Sequence, residues 1–263
     1  MLLATLDEFG VTAVDEADGA ARFFFSTPEA RDLAADAARE ADPDASFESV
    51  LISDENWAER SQASITAVRV GGLVIAPPWA IPTDGSTVIV IQPSMGFGTA
   101  HHESTRLCLN QLQALPSVRG LRVFDAGTGS GVLAIAAHAL GAGDVLAVDY
   151  DPDAVESARE SVALNQTEGA ITLMQLDLAD ISALGGRTFD LVFANLTGGM
   201  LIRFAAMLSG LVAGAGHLIT SGVILDEDPA VTAALTARGF QLVRRETENE
   251  WVGATWLDGA SSH

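Results

Sequence analysis

The spacing of apolar and polar positions divides this chain into two unlike parts. Over the first sixty residues, an apolar stretch (1–9) leads to a strand over 11–14. A second strand, 22–25, stops at Ser26-Thr27-Pro28. Thr27 and Pro28 supply an N-cap and a first turn for a helix over 29–40, whose apolar face is Leu33, Ala34, Ala37 and Ala38. Asp42-Pro43-Asp44 ends that helix, and 47–52 alternates as a further strand. Two strands, a helix and another strand predict a small α+β unit, a ferredoxin-like sandwich whose opening strand is short or absent.

Residues 53–70 are polar and without periodicity, which reads as a linker with room for one helical turn. Short β runs follow at 73–76 and 87–91, separated by the turn signals Pro77-Pro78 and Asp84-Gly85. A helix is predicted over 103–115, with Leu107, Leu109, Leu112 and Leu115 available for burial. Beyond it, strands (121–126, 144–149, 171–176, 190–194, 217–221) alternate with helices (131–140, 152–165, 199–211, 228–238). Such alternation with short connections predicts a parallel sheet covered on both faces. The last two β runs, 241–246 and 251–257, have no helix between them and predict a terminal hairpin that adds one antiparallel strand. Residues 258–263 read as a frayed tail. The expected organisation is a small α+β domain over 1–58, a linker over 59–72, and a doubly wound α/β domain over 73–263.

Composition narrows the function classes. The 263 residues are 48% hydrophobic and 19% charged, enough for real cores and too apolar for wholesale disorder. A single cysteine, Cys108, excludes a disulfide framework and a multi-cysteine zinc site, and the histidines show no metal-ligand spacing. No metal is expected. The first ten residues hold Asp7 and Glu8 with no basic run, unlike a secretory leader. The longest apolar stretch, 132–148, is broken by His138, Gly141, Gly143 and Asp144 and is no bilayer span. A soluble, cytoplasmic protein is expected, with no membrane partner; a monomer is the simplest reading of its assembly.

All 14 basic residues are arginine, against 35 acids, for a formal net charge of −21. Residues 1–70 hold 15 acids and five arginines, so the acidity is densest there. That balance argues against direct nucleic-acid binding, which needs cations to displace phosphate counterions. It suits a solvated surface or a docking face for a basic partner.

The candidate chemistry centres on Asp125-Ala126-Gly127-Thr128-Gly129-Ser130-Gly131, at a strand-to-helix junction where doubly wound sheets place their ligands. Glycines let the backbone turn sharply and approach a bound molecule. Their spacing departs from the dinucleotide fingerprint, since the position that should hold the last glycine is Val132. The loop therefore suits a nucleoside without a pyrophosphate, and Asp125 would repel phosphate while accepting an ammonium group. Asp149, at the end of the next strand, can accept both ribose hydroxyls. Asp177, after the third strand, could reach an adenine amino group.

A glycine loop followed by acids after successive strands resembles the class I S-adenosylmethionine-dependent methyltransferases. The resemblance implies S-adenosylmethionine as cofactor. It also implies that the loop (Asp125, Gly127, Thr128, Gly129, Gly131) cradles the methionine moiety and that Asp149 holds the ribose. A second stretch, Phe97-Gly98-Thr99-Ala100-His101-His102-Glu103-Ser104-Thr105, is similar to the loop of the PrmA family, which methylates large-subunit ribosomal protein L11. There Ala100 replaces a glycine and Ser104 a threonine. Phe189-Asp190-Leu191-Val192-Phe193-Ala194-Asn195, 220–225 and Glu250-Trp251-Val252 extend the resemblance over about 73–257. It implies cofactor contacts at Thr105, Gly127, Asp149 and Asn195, with Phe97, Gly98 and Thr99 beside them, and an N-terminal domain that recognises a basic ribosomal protein. Two departures concern the acceptor. Ser61 and Thr66-Ala67 replace basic and Lys-Pro positions after Trp57, and Leu196-Thr197-Gly198-Gly199 is richer in glycine than usual.

The transferred methyl needs an amine that arrives neutral. A lysine pKa near 10.4 falls in a closed, desolvated pocket, so no strong base is required. Asn195 is the candidate to orient acceptor or cofactor, because its amide both donates and accepts, and the Leu196 carbonyl can take an amine N–H. His102 is a second catalytic candidate, although a histidine beside a helix start more often serves as a loop hydrogen-bonding group. The reading is an N-methyltransferase of a ribosomal protein. A methyltransferase of another protein or small amine, and a non-catalytic cofactor-binding module, are the alternatives.

Overall fold

A computed structural model describes residues 11–17, 20–25, 27–41, 65–93 and 102–259, which fall in two compact units divided between Ser64 and Ile65. In the first unit, β1 (Val11–Ala17) and β2 (Ala20–Phe25) form an antiparallel pair, followed by α1 (Pro28–Ala41). Thr27 caps α1 as its sequence predicts, its hydroxyl accepting from Ala30 N–H at 3.2 Å. The buried stripe is narrower than expected. Ala34 and Ala38 are buried, whereas Leu33 is 60% exposed. At about 100° per residue, Leu33 stands well round the helix from the line joining Ala34 and Ala38. The predicted segments 1–9 and 47–52, on which the ferredoxin-like reading also rests, lie outside the described residues.

The second unit is built on a seven-stranded sheet. Its strands are β6 (Arg122–Ala126), β7 (Asp144–Asp149), β8 (Ile171–Gln175), β9 (Phe189–Asn195), β10 (Val212–Ile224), β11 (Phe240–Glu248) and β12 (Trp251–Asp258). The spatial order is β11-β12-β10-β9-β6-β7-β8. All neighbours from β10 to β8 pair parallel, and β12 runs antiparallel to both β10 and β11. The doubly wound sheet with a terminal hairpin is therefore borne out. The hairpin enters by its second strand: Trp256 Nε1–H donates to Thr220 Oγ1 at 2.9 Å inside the core, which fixes β12 against β10.

Among the described residues, five α-helices and a 3-10 turn connect or cover these strands. They are α2 (Glu103–Ala114), α3 (Val132–Ala139), α4 (Pro152–Leu164), α5 (Gly198–Leu211), α6 (Asp228–Thr236) and a 3-10 turn (Ser182–Leu184). Strand residues alternate between faces. Val123, Val145, Leu191, Phe193 and Ile219 enter one core with Leu109, Leu112, Ile135 and Val162 of α2, α3 and α4. Phe124, Leu146, Val192 and Leu218 enter the other with Leu201, Leu208, Val231 and Leu235 of α5 and α6. The crossover geometry leaves the carboxyl ends of the parallel strands together at one rim.

Three shorter strands form a separate sheet: β3 (Val68–Val70), β4 (Leu73–Ala76) and β5 (Thr87–Val90). β3 corrects the linker reading of 53–70 at its last three residues, while 53–64 lie outside the described residues. Only three residues long, it is too short to show periodicity, and it forms because β4 offers it an antiparallel edge. Two further boundaries move. β10 is far longer than its predicted 217–221, and Asp258, expected in the tail, closes β12 opposite Phe240.

Candidate active site

The loop between β6 and α3 is held from below by the neighbouring strand. The N–H groups of Gly127 and Thr128 both donate to the carbonyl of Val148 at 2.9 Å, tying the loop to the end of β7. Gly129 N–H then turns to Asp149, donating to Oδ2 at 3.0 Å, and Asp151 N–H donates to Oδ1 at 3.1 Å. Each oxygen of Asp149 thus receives one backbone donor, which leaves acceptor capacity on both. The side chain is 8% exposed, so it opens to the rim through a narrow aperture.

Asp125 lies one strand over and deeper, 1% exposed. The period of two puts it on the same sheet face as Phe193, its partner on β9, and as Asn195 two residues on. Its Oδ2 accepts from the Thr128 hydroxyl at 2.7 Å, while Oδ1 has no well-formed hydrogen bond among the described residues. Burial pushes its carboxyl up to about 7, with the Thr128 hydroxyl and the Ala134 amide pulling the other way and the Asp149 charge adding slightly to the rise. A buried acid with one unpartnered oxygen is a place where a cationic group would be welcome. The same bond engages the hydroxyl of Thr128 with Asp125, so that side chain orients the acid. Gly131 caps α3 and stands against Ala158 of α4, a packing role.

Asn195 ends β9, half-buried, and its side chain makes no hydrogen bond among the described residues. Leu196 N–H donates to the Ser221 carbonyl at 3.0 Å, and Thr197 caps α5, its hydroxyl accepting from Met200 N–H at 3.4 Å. Thr105 is buried in the first turn of α2. Asp177 is exposed after β8, and its Oδ1 accepts from Ala179 N–H at 2.8 Å, closing a local turn. His102 caps α2: Nδ1 accepts from Ser104 N–H at 3.2 Å and lies 2.7 Å from the Ser104 hydroxyl, while the ring meets Trp251 edge-on at 4.5 Å. Accepting at Nδ1 assigns the ring proton to Nε2. Phe97, Gly98 and Thr99 lie outside the described residues.

Two features went unseen in the sequence. Tyr150, directly after Asp149, is 70% exposed, an aromatic left at the rim beside the acid. In β10, Ser221 and Gly222 together oppose Gly253 alone, a β-bulge flanked by the pairs Thr220–Ala254 and Val223–Val252. An isolated glycine inside a β run was the available signal for it.

Sheet order, the antiparallel strand β12, and a glycine loop facing an acid at the end of the next strand define a class I S-adenosylmethionine-dependent methyltransferase fold. The family described as Ribosomal protein L11 methyltransferase (PrmA) matches residues 10–256. The chain belongs to that family. It is 43% identical over 204 residues to the ribosomal protein L11 methyltransferase of Geobacter sulfurreducens, covering 76% of this chain and 66% of that one. It is 38% identical over 225 residues to the one from Chloroflexus aurantiacus, covering 76% and 68%. The chain thus spans about two thirds of the length of these relatives. The crystal structure of a ribosomal protein L11 methylase from Lactobacillus delbrueckii subsp. bulgaricus superposes with a TM-score of 0.66 at 31% identity, covering 73% of this chain and 98% of that one.

Proposed function

We propose that this protein transfers methyl groups from S-adenosylmethionine to amines, lysine side chains or the N-terminus, of ribosomal protein L11, in the cytoplasm where ribosomes are made. The observation that carries it is Asp149, held beside the glycine loop by Gly129 N–H with acceptor capacity on both oxygens. A ribose presents two adjacent hydroxyl donors, and one carboxylate can take both.

Two features support the donor. The orphaned Oδ1 of buried Asp125 suits the ammonium of a methionine moiety. Gly127 presents bare backbone where a side chain would meet Leu196. Asp149, Asp125 and the loop backbone would hold the cofactor, with Thr105 and Asn195 flanking it. When bound, S-adenosylmethionine supplies a sulfonium-borne methyl group open to in-line displacement by an amine nitrogen.

The chain's own part is alignment and dehydration. Asn195 Oδ1 and the Leu196 carbonyl, at the end of β9, are two acceptors for amine N–H groups. An acceptor held by them keeps its lone pair for the methyl, provided it is neutral, and desolvation on entering the site favours the neutral form. His102 is engaged at Nδ1 as the cap of α2, so proton removal through that atom would break the cap.

Incubation with labelled cofactor and ribosomal subunits tests this reading. Label is expected on L11 and on no other large-subunit protein. Label elsewhere with none on L11 would refute the substrate, and no transfer to any acceptor would refute the activity.

A further inference from the structure

We infer that Gly222 is a positioning residue for methyl transfer: by lacking a side chain it lets the Asn195–Leu196 acceptor pair sit where it does. This rests on the reading of that pair as the amine-binding element.

Gly222 is the second residue of the β10 bulge and has φ +81, in the left-handed region. A Cβ built there would stand 2.6 Å from the Leu196 carbonyl oxygen, 2.9 Å from its carbonyl carbon and 3.1 Å from Asn195 Oδ1. Real Cβ atoms do not approach backbone so closely, and the crowded atoms are the two proposed to receive the amine. Neither neighbour can easily yield. Leu196 N–H is tied to the Ser221 carbonyl, and Ser221 is buried with its hydroxyl donating to Val252 O at 2.8 Å. Thr220 is held by Trp256, so both residues before Gly222 are anchored. On its other side Leu196 packs its side chain over Gly127. Any substituent at 222 must therefore rotate the Leu196 peptide or displace the Asn195 amide. Bulges recur beside active sites because they re-aim groups in this way.

Displacing two acceptors by an ångström misaligns a nucleophile while leaving the pocket for the ribose, across β6 at the end of β7, untouched. A misplacement of that size can lower a rate about a hundredfold. Gly222→Ala and Gly222→Asn are the variants: asparagine tolerates positive φ and retains the Cβ, so it separates crowding from backbone strain. Gly185→Ala, at φ +59 with open space around its Cβ, is the control for strain alone.

For both Gly222 variants, kcat on L11 should fall about a hundredfold while the dissociation constant for adenosine, whose ribose would be held at Asp149 away from the bulge, stays within threefold of wild type by calorimetry. Gly185→Ala should leave both unchanged. A merely structural role would lower the melting temperature and kcat and raise the dissociation constant together, and that result overturns the assignment. So does retention of kcat within threefold in either folded variant, or a crystal structure of Gly222→Asn with the Leu196 carbonyl and Asn195 amide unmoved. A wild-type enzyme that methylates no acceptor would instead overturn the functional reading, and this assignment with it.

Discussion

Leu196 lays its side chain on Gly127, so that a Cβ at Gly127 would lie 2.8 Å from Leu196 Cδ2. The contact joins the end of β9, where the acceptor pair stands, to the loop that would carry the cofactor. In the proposed reaction Leu196 would thereby adjoin both acceptor and cofactor, and its exposure is low enough to keep water from the seam.

Gly127→Ala places a methyl in that contact and imposes a left-handed φ of +74 on a residue that resists it. Cofactor affinity is expected to fall by roughly tenfold or more, about 1.4 kcal/mol. The double variant Gly127→Ala/Leu196→Ala should recover part of the loss, since the crowding is relieved and the strain is not. Isothermal calorimetry on both variants checks this; equal losses would show that crowding contributes nothing.

Asp149→Asn keeps one acceptor oxygen and loses the charge and the other. Hydrogen bonds to charged groups contribute about 1.5–3 kcal/mol each, so affinity for S-adenosylmethionine should weaken roughly ten- to hundredfold. Adenosine competition should weaken in parallel, because the ribose is common to both. An Asp149→Asn variant that binds within twofold of wild type would remove this carboxylate from the ribose site.

Asp125 makes stability depend on pH. Burial raises its folded-state value to about 7, above that of an unfolded chain, so the folded protein binds the extra proton. Its contribution is therefore most favourable at acidic pH and is lost progressively as pH climbs from about 4 to 7. The cost above pH 7 is on the order of a few kcal/mol. Asp125→Asn should raise the melting temperature of the cofactor-free protein at pH 8 and change it far less at pH 5. The same variant should bind S-adenosylmethionine more weakly, because a cationic group loses its counter-charge. A pH-independent shift in melting temperature would contradict the buried ionisation.

Asn165, the C-cap of α4, completes the hydrogen bonding of a strand it does not belong to. Its Oδ1 accepts from Val90 N–H at 2.9 Å and its Nδ2 donates to the Val90 carbonyl at 2.6 Å, while Nδ2 also reaches Ser161 O at 2.7 Å. Asn165→Ala leaves both Val90 groups unpaired at a part-buried edge, which should cost about 1–3 kcal/mol in urea denaturation. Asn165→Asp restores the acceptor alone and should recover less than half of that loss.

The strands and helices of the second unit were readable in the chain because each carries a strong local signal. β6, β7 and β9 centre on apolar segments buried on both faces (Val123-Phe124, Val145–Val148 and Leu191–Ala194), and α4 opens with Asp151-Pro152, whose carboxylate caps Asp153 N–H at 2.9 Å. The glycine loop and Asp149 were readable for the same reason, as a turn chemistry and an acid at a fixed interval. β3 escaped because three residues carry no period, and Leu33 was misplaced because a helix dominated by alanine defines its buried face weakly. The bond of the Thr128 hydroxyl to Asp125 and the capping of α2 by the His102 ring, beside their expected cofactor and catalytic roles, are visible only in the folded chain.

The order of apolar runs along the chain was enough to determine a doubly wound sheet, its terminal hairpin and the acid-and-glycine loop, since these depend on residues close together in sequence. Tertiary structure alone decided that β12 lies between β10 and β11, that Leu196 bridges Gly127 and Gly222, and that burial raises the Asp125 carboxyl. Those relations join positions dozens of residues apart, and they exist only once packing has removed water and brought the strand ends to a single rim.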